Sequence, residues 1–542
     1  MIDISDWDIG MVIASDDERR SMFEPSDEYR MMAPVWEECR DTNAGAAVIK
    51  SKGVKYLPPL DSHLAKGLEE CASGHDNGLI LRSGGFSTSG DSGRNRYEDY
   101  KNRATFYSAV GMTVDAFVNM LFRRSPSYPW TNPKDGLSMD VDHEFATEFL
   151  KNVSSYREDM NSFLERLVEE ILVTNYVGVL EDRNANSPKS YSVLYTAEQI
   201  YDVHYGFDSE GYVVPDWYML AEQLDGEDYR RMLLLDANGN YNVAVFQYDK
   251  TTKDWVLIEM SQPTYYPTAT DLTPKPFKYI PFWVLSMRGR KARGIPPPRI
   301  HDLAEMALGY YRNSADRENE QHLVSIKTAI FPGWNIDEYG YPALGGGLAS
   351  PPESKPYIME AKTESQLKEA MLEKVENCAR LGSQILSGRG KYIQAKETAE
   401  INAGGDSCLV DAMAAIVTSA MNEVFKLKLQ WTRVYDKEVS LSLNTQYFTT
   451  GLDANYLMAL VKALQSKALS FDAYFAILED ANVYPDNWTK AKEVQGIENN
   501  PIPDFAAVTM EEGTASFTDI QTGAEKLENG VNGQTDGYGA KK

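Results

Sequence analysis

Apolar positions along this chain follow two periods, and the longest helical one lies between Pro296 and Trp431. After Thr363, apolar residues fall at Leu367, Met371, Val375, Cys378, Leu381 and Ile385, one helical face sustained for about seven turns. Thr363 and Gln366 have the spacing of a capping box at its start. Upstream, Pro296-Pro297-Pro298 suits a helix start, and the spacing predicts a helix burying Ile300, Leu303, Ala307 and either Tyr310 or Tyr311. Its continuation, RNSADRENEQH from Arg312 to His322, is polar and is expected to face water or charged surfaces. A third helix is predicted after Gly404-Gly405, opening near Asp406 or Ser407. It would turn Leu409, Ala412, Met413, Ile416, Ala420, Val424, Phe425 and Leu427 inward as far as Trp431. The last two helices would each span about 37 Å, and rods of that length need neighbours.

The connections differ in kind. Between the first and second helices lies a β-like insert, VSIKTAIFPGW to ESKPYIME, with turns at Pro332-Gly333 and Gly345-Gly346-Gly347. Between the second and third lies SGRGKYIQAKETAEINAGGD, flanked by glycines.

Elsewhere the period changes twice. One helix is predicted from Tyr97, with Tyr100, Ala104, Tyr107, Val110, Val114, Phe117 and Leu121 on one side, ending at Arg123-Arg124. A second helical stretch, HEFATEFLKNVSSYREDMNSFLERLVEEILVTNYVG, ends near Gly178 and feeds the strand VGVLEDR. Its adjacent Glu169 and Glu170 do not face one another on a helix and read as a solvated face. Residues 189 to 287 then alternate with period two: SYSVLYTAEQIYDVHYG, EGYVVPDWYMLAEQL, YRRMLLLDANGNYNVAVFQYD, KDWVLIEM and YIPFWVLSM. Asn238-Gly239 marks a hairpin turn, so an antiparallel β domain is expected. After Trp431 come a strand, KEVSLSLNTQYF, a helix capped by Asp453 with Leu457, Leu460, Val461 and Leu464, and a shorter helix after Ser470 with Phe471, Tyr474, Phe475 and Leu478. From Pro501 onward little apolar pattern remains, as in a flexible tail. The fold class is α+β.

At 542 residues, 43% hydrophobic and 11% aromatic, the chain has material for several cores. It has no apolar run of about 18 residues, so no membrane span is expected. The acidic start MIDISDWDIGMVIASDDE does not resemble a signal peptide, which places the chain in a cytoplasm. The net charge of −26 argues against a sequence reader or tight phosphate binder, while leaving room for a polyanion to pass without sticking. Cys39, Cys71, Cys378 and Cys408 show no CxxC spacing and read as small hydrophobes; His63, His75, His143, His204, His301 and His322 form no metal-binding pair. The stretch SGGFSTSGDSGRN lacks the closing Gly-Lys-Ser/Thr of a phosphate loop and reads as a loop. The acidic, Tyr- and Trp-rich β region could house a glycosidase-like hydrolase using Asp202 or Asp216 near Tyr201 and Trp217, although aromatic packing in a sheet is far commoner.

The order of these elements resembles the portal protein of tailed bacteriophages. GIPPPRIHDLAEMALGYYRNSADRENEQH resembles the first stem helix of portals, and IKTAIFPGW to KPYIME falls where portals place the clip. TESQLKEAMLEKVENCARLGSQILS is similar to the returning stem helix. QAKETAEINAGGDSCLVDAMAAIVTSAMNEVFKLKLQW is similar to the tunnel loop and long wing helix, with Glu397-Thr398-Ala399-Glu400-Ile401 matching a recurrent portal pattern. YKNRATFYSAVGMTVDAFVNMLFRRSP and the stretch ending LSLNTQYFTTGLDANYLMALVKALQSKALSFDAYFAIL also resemble portal pieces, so the likeness covers most of residues 97 to 500.

The resemblance implies a portal fold with long stem and wing helices, an antiparallel β-rich wing and a small β-containing clip. The division would be an N-terminal arm and outer wing at 1–95, wing at 96–299, first stem helix at 300–323 and clip at 324–362. The second stem helix would follow at 363–387, the tunnel loop at 388–405, the long wing helix and crown-proximal region at 406–500, and a tail at 501–542. It implies a homo-oligomeric ring, most often of twelve copies, at the capsid vertex of the virion, assembled in the host cytoplasm. Implied partners are the terminase large subunit, a head-tail adaptor, the major capsid protein and double-stranded DNA passing without sequence specificity, with no membrane. No catalysis and no cofactor are implied. Arg389, Lys391 and Lys396 would lie on the channel loop, and Phe331, Trp334, Tyr339 and Tyr341 would contact adaptor or terminase.

Overall fold

This computed structural model describes residues 22–60, 68–70, 79–81, 93–183, 189–207, 210–268, 271, 273–288, 294–325, 328–330, 357–359, 365–387, 408–443, 454–466, 468–480 and 490–499. The chain divides into two compact units, Met1–Tyr447 and Phe448–Lys542.

The first unit is mixed α and antiparallel β. Its largest core gathers the apolar faces of helices Ala109–Leu121, Met160–Thr174 and Cys408–Trp431, with Val177 and Val179 of the strand Val177–Arg183. Phe117, Phe163, Leu167, Ile171, Val417, Met421 and Phe425 are all fully enclosed there, each worth about 1.5–3 kcal/mol of burial. Val177–Arg183 is the central strand of a three-stranded sheet, flanked by Ser190–Tyr195 and Phe282–Leu285. Gly178 lies under the Phe282 ring, where a Cβ would come within 2.1 Å of the ring, so only glycine permits this pairing.

The expected antiparallel β domain is a five-stranded meander in sequence order: Ile200–Phe207, Val213–Leu224, Glu227–Leu235, Tyr241–Asp249 and Asp254–Ser261. The predicted Asn238-Gly239 turn joins its third and fourth strands, with only Gly239 at positive φ (70°) and Asp236 Oδ1 accepting from the backbone of Asn238 and Asn240. One face packs on the three-stranded sheet through Tyr195, Tyr218, Leu220, Leu233, Tyr241 and Phe282. The long helix Cys408–Trp431 ends in this second core with Leu427 and Trp431, and so ties the two cores together.

Several boundaries differ from the sequence reading. SYSVLYTAEQIYDVHYG is two strands in different sheets, separated by a turn at Ala197–Gln199 with a capping box between Thr196 and Gln199. The helix expected from Tyr97 to Leu121 is two, Gly93–Arg103 and Ala109–Leu121. At the break, Ser314 Oγ donates to Thr105 O at 2.7 Å and accepts from Thr105 N at 2.9 Å, replacing the bonds a helix would have made. HEFATEFLKNVSSYREDMNSFLERLVEEILVTNYVG is likewise two helices, His143–Leu150 and Met160–Thr174, around residues 151–159. A helix the sequence reading missed, Asp27–Ala44, carries Pro34 in its interior. Ser26 Oγ caps its start, Gly45 at φ 89° ends it, and Trp36 is wholly buried.

The second unit contains helices Ala454–Gln465 and Phe471–Asp480, both expected, and Lys490–Asn499. Leu460, Phe475 and Leu478 are buried.

Candidate functional site: a helix, ribbon and helix frame

The helix His301–Ser325 starts where three prolines preset the backbone and runs unbroken through the polar stretch. Ile300, Leu303, Ala304, Ala307, Leu308, Tyr311 and Ala315 are buried, so the choice between the two tyrosines falls on Tyr311. The polar half was expected to face water or charge. Instead it carries polar contacts into the protein: Arg312 Nε donates to Tyr56 O at 3.1 Å, Asp316 Oδ1 accepts from Tyr100 Oη at 2.6 Å, and buried Ser314 holds Thr105.

The helix Ser365–Ser387 buries Met371 and Cys378 as its spacing predicts, with Leu381 half-buried against the main core. Lys374 Nζ donates to Gly309 O at 3.0 Å, and strands Thr328–Ile330 and Tyr357–Met359 pair antiparallel, Thr328 opposite Met359. These two contacts make the helices run in opposite directions, joined by a two-stranded ribbon. In the third helix Met413, Ala414, Val417, Ala420, Val424 and Phe425 are buried, while Ala412 and Ile416 are half-buried and Ala415 is exposed. The Ala-rich stretch therefore packs through Ala414 and Ala420.

Phe331, Trp334, Tyr339 and Tyr341, and the channel-loop candidates Arg389, Lys391 and Lys396, lie outside the described residues. The flanking Ile330 and Tyr357 are directly opposed in the ribbon, so the chain between them leaves and returns at one place.

The hydrolase candidates sit on the meander without forming an acid pair. Asp202 is opposite Met219, and burial pushes its carboxyl above the usual range. Asp216 Oδ2 lies 3.2 Å from His204 Nδ1, close against Gly206. Trp217 is buried among Met219, Met232 and Leu234, and Tyr201 packs between Tyr29 and the Arg230 guanidinium. Both aromatics serve the packing of the sheet. An open concavity of about 420 Å³ on the meander, lined by Glu227, Tyr248, Lys250 and Ile258, contains neither aspartate. Among the described residues no three His, Cys, Asp or Glu side chains converge as for a metal ion, and no helix is long and apolar enough to cross a membrane.

Glu170, read as solvated, is a correction. It takes a bidentate pair from Arg40 (2.7 and 3.1 Å), whose Nε also binds Glu198. Burial pushes the Glu198 carboxyl up, but the Arg40 guanidinium outweighs it and holds the group below its usual range. Glu169 meets Asn43 Nδ2 at 3.2 Å.

A feature missed in the sequence is the staple at Asn175. In the left-handed conformation (φ 56°), it accepts from Met287 N at 2.7 Å and donates to Pro297 O at 2.8 Å. It thereby ties Met287 and Pro297 to the end of the helix Met160–Thr174; between them in sequence stand Arg288, Arg290, Lys291 and Arg293, the last three outside the described residues. The signal available in the sequence was that run of cations in an acidic chain.

A family described as a domain of unknown function, DUF4055, matches residues 299–432, the span of the three helices and their connections. No curated protein matches the chain. Among solved structures, the chain is similar to one in the virion of a native gene transfer agent particle, at 10% identity, 71% of this chain, 89% of that one and a TM-score of 0.33. It is also similar to chains in the neck of an empty particle computed with C6 symmetry (10%, 67% and 86%, TM-score 0.34) and of a native particle computed with C12 symmetry (9%, 68% and 89%, TM-score 0.33). Likeness this loose leaves function to be argued from the chain itself.

Proposed function

We propose that this chain is the portal protein of a tailed bacteriophage. It forms a ring, with twelve copies the expected number, at the unique capsid vertex of the virion. DNA passes through the ring during packaging and ejection, the terminase large subunit docks on it first, and a head-tail adaptor replaces the terminase afterwards. The major capsid protein surrounds it. The observation that carries the reading is the antiparallel pair His301–Ser325 and Ser365–Ser387, bridged by a two-stranded ribbon and followed by Cys408–Trp431. Its order is that of stem helix, clip, stem helix, tunnel loop and wing helix.

In this reading Phe331, Trp334, Tyr339 and Tyr341 contact terminase or adaptor, and Arg389, Lys391 and Lys396 meet passing phosphates. The acidic balance fits a conduit: twelve copies at −26 carry about −300 before screening, so DNA is not held by counterion release. No residue is assigned a catalytic role. Asp202 and Asp216 have no arrangement that favours the hydrolase reading. Imaging the purified chain tests the proposal. A ring with a central channel seen end-on is expected; a particle of one or two chains at micromolar concentration would overturn it.

A further inference from the structure

Residues 151–159, KNVSSYRED, interrupt what the sequence reads as one helix, and they form a fixed projection. Val153 N donates to Glu158 O at 2.8 Å and Arg157 N to Ser154 O at 3.0 Å, while buried Ser154 Oγ accepts from Tyr156 N at 3.2 Å. Ser192 N donates to Val153 O at 2.7 Å, anchoring the loop to the three-stranded sheet. Asn152 and Arg157 hold φ of 54° and 60°, a conformation side-chain-bearing residues rarely adopt, and one that warrants asking what the loop does. At its tip Tyr156 is 80% exposed.

Cations stand on the same loop and on the hairpin bridged to it. Lys151 and Arg157 are exposed on the loop itself. The Ser154–Ser192 bridge brings up the end of the neighbouring hairpin, where Arg183 stands opposite Ser190 and Lys189 reaches Glu148 at 2.5 Å. Nearby carboxylates are mostly paired with cations: Glu148 with Lys189, Glu158 with Arg166 at 2.9 Å, and Asp182 with Arg231 at 3.5 Å, while exposed Asp159 at the end of the loop takes, among the described residues, only Ser162 Oγ at 2.6 Å. Among the described residues, no carboxylate oxygen lies within 4.0 Å of a side-chain nitrogen of Lys151, Arg157 or Arg183, although Arg183 N donates to Asp182 Oδ1 at 2.7 Å. A rigid, tyrosine-tipped, cationic surface thus stands on a chain with 80 acidic and 54 basic residues.

We propose that the Tyr156 projection is a contact between neighbouring copies of this chain, seated against an acidic surface of the next copy. Two copies related by a twofold axis through this loop would press cations on cations, which is repulsive. A head-to-tail contact sets them against the acid excess that the rest of the chain supplies, and repeated, it closes a ring. Tyrosine and arginine are residue types that concentrate binding energy at an interface, and a loop already fixed loses little freedom on docking. The inference rests on the ring reading above and adds a surface to it.

The test is sedimentation velocity of the full chain over a concentration series, at low and high salt, comparing wild type with Lys151→Glu/Arg157→Glu and with Tyr156→Ala. The double charge reversal should raise the concentration for half-assembly about tenfold or more at low salt, with the gap narrowing at high salt. Tyr156→Ala should weaken assembly at both salts. Because it leaves the two left-handed residues in place, it decides the matter if the double variant melts early. If wild type forms rings and both variants form them at the same concentration, the inference falls and the ring reading stands. A wild-type chain that stays monomeric overturns both. Unchanged assembly with lost retention on duplex DNA would assign the patch to phosphates and also overturn the inference.

Discussion

Glu181 is a buried acid whose burial makes stability depend on pH. It sits on the central strand of the three-stranded sheet at 1% exposure, with Oε2 accepting from Ser192 Oγ at 2.6 Å. Oε1 has no hydrogen-bond donor among the described residues. Burial pushes its carboxyl up and Lys428, on the long helix, pulls it partly back, leaving it at about 7 against an ordinary 4.5. Folding therefore raises this acid's proton affinity, so the native state holds a proton that the unfolded chain has released between pH 4.5 and 7. Stability from this group is fully present below about 4.5 and is lost as pH rises through about 7. The rise from 4.5 to about 7 corresponds to about 3 kcal/mol, at about 1.4 kcal/mol per tenfold change in proton affinity. Glu181→Gln mimics the protonated form at every pH. At pH 8 the variant should be more stable than wild type by about 3 kcal/mol, and near pH 4.5 the two should coincide. Thermal unfolding at fixed protein concentration, followed by tryptophan fluorescence from pH 4.5 to 8, measures the difference. A variant less stable than wild type at pH 8, or a difference that does not change with pH, would refute the argument.

Tyr311 offers a companion case: its hydroxyl is buried in the core with no hydrogen-bond partner among the described residues, and burial pushes it up to about 12. Tyr311→Phe should leave the melting temperature unchanged or raise it by the equivalent of up to about 1 kcal/mol, and a clear loss would reveal a missed partner. On the long helix, Ala414→Trp should cost about 1–3 kcal/mol by overpacking, whereas exposed Ala415→Trp should be tolerated by the folded chain; equal melting temperatures for the two would contradict the packing. For the proposed conduit, changing Arg389, Lys391 and Lys396 to Gln should leave ring formation intact and shorten packaged DNA, and full-length genomes retained at all salts would sink DNA contact by these cations. Trp334→Ala should leave rings intact and weaken adaptor binding, while wild-type affinity would reduce Trp334 to local packing.

What the sequence determined by itself was the identity and direction of its long elements. The faces of Ser365–Ser387 and Cys408–Trp431, the meander with its glycine turn, and the ribbon between the first two helices were legible because apolar period records which side of an element must leave water. The candidate site residues were read from the sequence as positions in that order, and they lie outside the described residues. Tertiary structure decided what polar residues do. Nothing local distinguishes Glu170, clamped by Arg40 130 positions away, from its exposed equivalents. Nor does the sequence around Tyr107 show that a hydroxyl from Ser314, 209 positions on, would take over the backbone of Thr105 and end a helix whose apolar face continues past it. Period is a property of one segment and its own axis. A buried polar group is settled by its partner, and partners so distant in sequence meet only once the chain has folded.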